Sequence, residues 1–144
     1  MLFIYTDGSA NVADGKGGWA FAYYNGGELV EVSGAGHDTT NNRMELMAVI
    51  QAIQQAPTDK PIKIHSDSQY VVKGCTEWIF GWQRKGWRKA DKSPLLNADL
   101  WQVMWGLLQS RNDIQFEWVK AHANCVMNNL ADQLANAARL SVTK

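Results

Sequence analysis

The sequence predicts an α/β domain built on a mixed β-sheet, from three observations. Short apolar runs bounded by turn residues come first in the chain, and helical periodicities then alternate with further short apolar runs. A strong hairpin signal, Asn25-Gly26-Gly27, separates two β-rich runs near the start. Two later-separated runs, Tyr5-Thr6-Asp7-Gly8-Ser9 and His65-Ser66-Asp67-Ser68-Gln69, close alike on an aspartate. An antiparallel meander followed by strands that return through helical crossovers accounts for all of these.

In order, residues 2–6 read as a strand that Asp7-Gly8-Ser9 should end as a turn, and residues 11–18 as a Gly-rich loop. Residues 19–24 and 28–33 form the hairpin strands. Thr39-Thr40-Asn41-Asn42 is a helix start. Leu46, Val49, Ile50 and Ile53 then recur at helical spacing, and Pro57 lies just past the end. Residues 61–66 are a buried-strand candidate. Residues 69–74 and 76–83 predict short helices joined near Gly74. Asn97 or Asp99 opens a helix carrying Leu100, Val103, Met104, Leu107 and Leu108. Residues 114–119 alternate as a strand, and a loop over 120–127 leads to a last helix with Leu130, Leu134 and Ala138 on one stripe.

The 144 residues are expected to form a single domain, 1–144, long enough for a hydrophobic core. No apolar run approaches the ~18 residues of a membrane helix. The N-terminus has no basic region or cleavage site and reads as a strand. Cys75 and Cys125 show no metal-ligand spacing, which suggests reduced thiols and a cytoplasmic protein. Formal net charge is zero, but Arg84, Lys85, Arg88, Lys89 and Lys92 fall together against one acid, Asp91. Trp78, Trp82 and Trp87 lie in or beside that run. A local patch of this kind can bind phosphates on a neutral chain.

The aspartates Asp7 and Asp67 leave the carboxyl edge of the sheet if their strands are parallel, and ligands bind at that edge in open α/β sheets. Close carboxylates repel unless a cation lies between them. Glu45, placed in the first turn of the first long helix, also fits a capping pattern from Asn42, and Asp132 also reads as a solvated first-turn acid. Taken together, four carboxylates without a Cys or His cluster suit Mg²⁺ or Mn²⁺. Two such ions about 4 Å apart can activate water and stabilise the leaving oxygen in phosphodiester cleavage.

These residues sit in blocks that resemble the type 1 ribonucleases H, most closely the bacterial ribonuclease HI form. The matching blocks are Thr6-Asp7-Gly8-Ser9, Thr39-Thr40-Asn41-Asn42-Arg43-Met44-Glu45-Leu46, Ser66-Asp67-Ser68-Gln69-Tyr70-Val71, Trp118-Val119-Lys120-Ala121-His122-Ala123 and Asp132-Gln133-Leu134-Ala135. They follow one another over nearly the whole chain. The resemblance implies a ribonuclease H-like, five-stranded mixed sheet flanked by helices. It implies metal ligands at Asp7, Glu45, Asp67 and Asp132, with Mg²⁺ (Mn²⁺ as the alternative) and two ions once substrate is bound. His122 matches a loop histidine that assists proton transfer or product release.

The expected substrate is an RNA/DNA hybrid, cut in its RNA strand to leave 3′-hydroxyl and 5′-phosphate ends. Gly8, Asn41 and Gln69 match positions near the hybrid, and Thr40 matches a DNA-phosphate contact. Trp78, Arg84, Lys85 and Arg88 fall in the segment that matches the family's basic protrusion. Trp82 and Trp87 there also read as packing, and His65 as a core histidine. Two stretches depart from the pattern. Val12-Ala13-Asp14-Gly15 replaces Gly-Asn-Pro-Gly, which predicts different binding at that edge, and Asn124-Cys125-Val126-Met127-Asn128 predicts altered mobility of His122. A monomer with no membrane association and no obligate protein partner is expected. The rival readings are a non-catalytic hybrid-binding module on the same fold and a strand-transfer nuclease.

Overall fold

The structure, a computed structural model, describes residues 1–120 and 125–142. Its sheet begins as an antiparallel meander of β1 (Leu2–Ala10), β2 (Gly17–Asn25) and β3 (Glu28–Gly36), with Tyr5 opposite Ala22 and Phe21 opposite Val32. Gly26 and Gly27 turn the hairpin at φ of +60° and +84°. Two-residue hairpin loops need such values, and most side chains there would be strained by the positive φ although the space around them is open. Helix α1 (Asn41–Gln55) crosses over to β4 (Ile62–Ser66), which lies parallel to β1. Helices α2 (Gln69–Lys73), α3 (Ile79–Arg84) and α4 (Ala98–Ser110) precede β5 (Ile114–Trp118), parallel to β4, and α5 (Val126–Leu140) follows. The five strands form one mixed sheet in the order β3-β2-β1-β4-β5.

The first strand is longer than the sequence predicts. Asp7-Gly8-Ser9 is not a turn but continues β1, because β2 pairs with it from Tyr5 as far as Ala10. The parallel ladder to β4 is shorter and its last pair is Tyr5 with His65. Asp7 therefore lies beyond that ladder while still held by β2. Asp67 follows the end of β4 directly, so both aspartates do leave the edge where β1 and β4 part.

Helices cover both faces of the meander, as adjacent glycines of β2 reveal. A Cβ on Gly17 would meet Thr39 and Met44 at the start of α1, whereas one on Gly18 would lie 2.2 Å from the Ala135 carbonyl of α5. Successive strand residues face opposite ways, so α1 and α5 lie on opposite sides. On the α1 side, Ile4, Phe21, Leu46, Val49, Ile62, Ile64, Ile79, Trp101 and Met104 are fully buried. Each such side chain stabilises the fold by roughly 1.5–3 kcal/mol relative to exposure.

The join near Gly74 is a single π-helical turn, Gly74–Trp78, that links α2 to α3. Gly74 has no Cβ because the Trp101 ring occupies that space; a Cβ would come within 2.1 Å of it. Trp82 and Trp87 pack, at 5.0 Å from Trp101 and 6.5 Å from Trp105 between ring centroids. The basic segment folds back on itself through a bridge between Arg88 and Pro94 and hydrogen bonds from Trp87 N–H to Trp82 and from Leu95 N–H to Trp87. Among the described residues, no helix is long and apolar enough to cross a membrane.

Candidate active site

Asp7, Glu45 and Asp67 each place a carboxylate oxygen within 4.8 Å of the others. Several local features force this convergence. The Thr6 hydroxyl donates to the His65 carbonyl at 3.1 Å and ties β1 to β4 beside the two aspartates. Trp118 Nε1 donates to the Asp67 carbonyl at 3.0 Å, fixing the backbone from the β5 side. Glu45 arrives from α1, whose N-cap is Thr40: its Oγ1 accepts from Arg43 N–H at 3.2 Å. Glu45 is thus in the second turn rather than the first, and it does not cap the helix. Its side chain turns inward and is buried.

Gly8 makes this approach possible. A Cβ there would lie 2.3 Å from Glu45 N and from the Met44 carbonyl carbon, so the space beside Gly8 belongs to the α1 backbone. Gly8 N–H also donates to Asp7 Oδ1 at 2.9 Å. Asn41 adds a second tie, its Oδ1 accepting from Ala10 N–H at 2.7 Å. Farther along, Arg43 forms a forked pair with Asp99 at 3.0 and 2.7 Å and reaches Asn97 at 3.3 Å, which joins the start of α1 to that of α4.

The electrostatics of this cluster are unfavourable as it stands. Burial pushes the Asp7 carboxyl up to about 8; the charges of Asp67 and Asp132 add to the rise, and proton sharing with Glu45 offsets part of it. Burial pushes Glu45 well above the usual carboxylate range, and the Asp7 and Asp67 charges push it further. Glu45 Oε1 is buried with no hydrogen-bond partner among the described residues. Buried carboxylates with an orphaned oxygen are expensive. A divalent cation among them supplies the missing charge and the missing partner, so these residues fit an oxygen-coordinated Mg²⁺ or Mn²⁺.

Asp132 is also in the second turn of its helix, not the first, and it is half-buried rather than solvated. Its charge helps to raise the Asp7 carboxyl, but it is not one of the three carboxylates that converge within 4.8 Å of one another. Asn136, one turn further on, donates to Asp132 Oδ1 at 3.3 Å. The sequence reading missed Asn136 and its partners Ser9 and Arg139, although i, i+4 spacing from Asp132 is a signal that could have found Asn136.

The remaining predicted residues scatter around this centre. Thr40, Asn41 and Gln69 are exposed at the starts of α1 and α2. Arg84, the last residue of α3, and Lys85 and Arg88 just beyond it are exposed, and Trp78 is 41% exposed before the helix starts. His122 lies outside the described residues. His65 is a buried strand residue: its ring stacks on Tyr5 at 4.3 Å and its Nε2 pairs with Glu117 at 3.3 Å. The altered first loop is held by its own side chains, with Asn11 Oδ1 accepting from Ala13 N–H and Asp14 Oδ1 from Lys16 N–H.

A five-stranded mixed sheet in this order, with carboxylates gathered where β1 and β4 part, defines a ribonuclease H-like nuclease fold. The chain belongs to the ribonuclease H family, whose profile matches residues 1–139. It is 47% identical over 139 residues to a ribonuclease H of Caulobacter sp. (strain K31), a match that spans 96% of this chain and 90% of that protein. Ribonuclease HI of Pseudomonas aeruginosa is 46% identical over 137 residues, spanning 94% and 91% of the two chains. Among solved structures, LC9-RNase H1, described as a type 1 RNase H with the type 2 active-site motif, superposes with a TM-score of 0.80 at 29% identity, covering 99% of this chain and 73% of that one. The PFV RNase H domain superposes with a TM-score of 0.83 at 25% identity, covering 99% and 96%.

Proposed function

We infer that the protein hydrolyses the RNA strand of RNA/DNA hybrids with divalent-metal assistance, leaving 3′-hydroxyl and 5′-phosphate ends. The observation that carries this reading is the cluster of Asp7, Glu45 and Asp67, with oxygens within 4.8 Å and one of them orphaned. Family membership supports the substrate class. In this reading Asp7, Glu45, Asp67 and Asp132 hold Mg²⁺, with two ions once substrate is present. Bound there, the metal supplies Lewis-acid activation of water and charge stabilisation at the departing 3′ oxygen.

The chain's own residues do the rest. Asp7 is held by β2 and by Gly8 N–H, so it is preorganised. Glu45 and Asp67 present their carboxylates from fixed backbone on α1 and after β4. In this reading Asn41, Gln69 and Gly8 meet the hybrid near its minor groove, where 2′-hydroxyls separate RNA from DNA. Thr40, Trp78, Arg84, Lys85 and Arg88 form the outer contacts that take up DNA phosphates. His122 assists proton transfer or product release. The protein works as a monomer with one domain in this account, and the cytoplasm is its compartment.

Matched RNA/DNA, DNA/DNA and RNA/RNA duplexes incubated with the protein and Mg²⁺ test the reading. Cleavage confined to the RNA of the hybrid, with 5′-phosphate products, is the expected result. Binding without cleavage, or equal cleavage of the DNA duplex, contradicts it.

A further inference from the structure

Asp132 is held by a chain of hydrogen bonds that the proposed chemistry does not itself require. Arg139 Nε donates to Ser9 Oγ at 3.1 Å, Ser9 Oγ donates to Asn136 Oδ1 at 2.8 Å, and Asn136 Nδ2 donates to Asp132 Oδ1 at 3.3 Å. The direction of this chain is determined by donor chemistry. A guanidinium only donates, so the single Ser9 proton is left for Asn136. With its oxygen occupied, Asn136 turns its amide nitrogen to the carboxylate. Every link thus runs one way, from a fixed cation to Asp132.

The geometry has a structural basis. Asp132, Asn136 and Arg139 are spaced by four and three residues and share one face of α5. Ser9 lies two residues after Asp7 in β1, and by strand alternation faces the same way. Gly18 lets α5 sit directly on the sheet, since a Cβ there would be 2.5 Å from Arg139 N. An aspartate on a helix has more than one open rotamer. A donor on one of its oxygens selects one of them.

We propose that Asn136 is a positioning residue, backed by Ser9 and Arg139, that orients Asp132 beside Asp7 so that Asp132 joins the metal site. The proposal rests on the metal reading above. It makes the fourth carboxylate conditional on the seating of α5 against β1. Partners of this kind behind metal ligands typically set affinity by a factor of about 10–100. Ser9 and Arg139 act through Asn136, so removing Ser9 reproduces the effect of removing Asn136.

Calorimetric titration of the folded protein with Mn²⁺ in the absence of substrate tests this. Asn136→Ala and Ser9→Ala are each expected to weaken Mn²⁺ binding by about tenfold. The double variant should be no weaker than Asn136→Ala alone, because the residues act in series. Ser9→Thr, which keeps the hydroxyl, should bind nearly as the wild type does. The Mg²⁺ concentration for half-maximal cleavage should rise in step while KM for the hybrid stays fixed. If Asn136→Ala fails to fold, Asn136→Ser takes its place, since its hydroxyl is too short to serve both neighbours. Wild-type Mn²⁺ affinity in folded Asn136→Ala, with binding lost in Asp7→Asn, overturns the relay and leaves the metal reading intact. Losses from Asn136→Ala and Ser9→Ala that multiply also overturn it. Undiminished Mn²⁺ binding in Asp7→Asn overturns the metal reading, and the relay with it.

Discussion

Glu45 and Asp7 are buried acids without a compensating cation among the described side chains that touch them. Their raised pKa values carry a definite sign. The native state holds protons that the unfolded state has released, so the metal-free protein loses stability as pH rises through the gap. For Asp7 that gap runs from its ordinary 3.8 to about 8. Thermal unfolding without divalent ions should therefore show a falling midpoint from mildly acidic to mildly alkaline pH. Saturating Mg²⁺ should flatten the curve, and Glu45→Gln should flatten it in part without metal. A metal-free midpoint that rises over this range would refute the account of the cluster. At neutral pH, Glu45→Gln should also lower hybrid cleavage by at least about 100-fold, since a charged ligand to a catalytic ion is worth several kcal/mol and each 1.36 kcal/mol is tenfold in rate.

The elements are placed by close contacts as much as by hydrophobic pattern. Gly8 lets α1 touch β1, and Gly18 lets α5 touch β2. Gly8→Ala forces a Cβ into the backbone at Met44 and Glu45, and the shift must move α1. We expect destabilisation of about 1–3 kcal/mol or more by urea unfolding, together with loss of cleavage by the fraction that still folds. Unchanged stability and activity would mean that the approach of α1 is not set there. Arg111 plays a different part, bonding Asp113 at 2.6 and 3.0 Å and the carbonyls of Pro57 and Lys60 at 3.2 and 2.9 Å. It ties the start of β5 to the loop before β4. Arg111→Ala should cost about 1–3 kcal/mol, as half-buried carbonyls lose a charged donor.

At this scale the sequence was most informative where a local rule decides. The Gly26-Gly27 hairpin, the Thr40 start of α1 and the alternation in β5 all rest on nearest-neighbour chemistry. The length of β1 did not follow from its own residues, because β2 supplies the partners that extend it through Asp7. Glu45 lies two residues deeper in its helix than expected for a related reason: Thr40, not Asn42, caps the helix. The Asn136 relay was invisible because it depends on how α5 sits over β1, which Gly18 permits but no periodicity announces. For the tryptophans, composition suggested both packing and binding, and only the positions of Trp101 and Trp105 place Trp82 and Trp87 in the packing.

For the whole molecule, a neutral chain has to bind a polyanion, and its carboxylate edge by itself repels one. In the proposed function, the exposed cations Arg84, Lys85 and Arg88 at the end of α3 and just past it would offset that repulsion. Hybrid affinity should fall steeply with salt, and each of these residues that meets a phosphate should reduce the log–log slope by about one when replaced by alanine. A slope unchanged in the triple variant would place the hybrid elsewhere. In the proposed function, the carboxylates at the edge of the sheet would carry the chemistry and the cations at the end of α3 the affinity. The most direct test of that division is the rate at which Asp7→Asn cuts the RNA strand of a hybrid at saturating Mg²⁺ and saturating substrate. If Asp7 holds the catalytic metal, the rate falls by at least about 100-fold with hybrid affinity retained; cleavage at the wild-type rate would show that it does not.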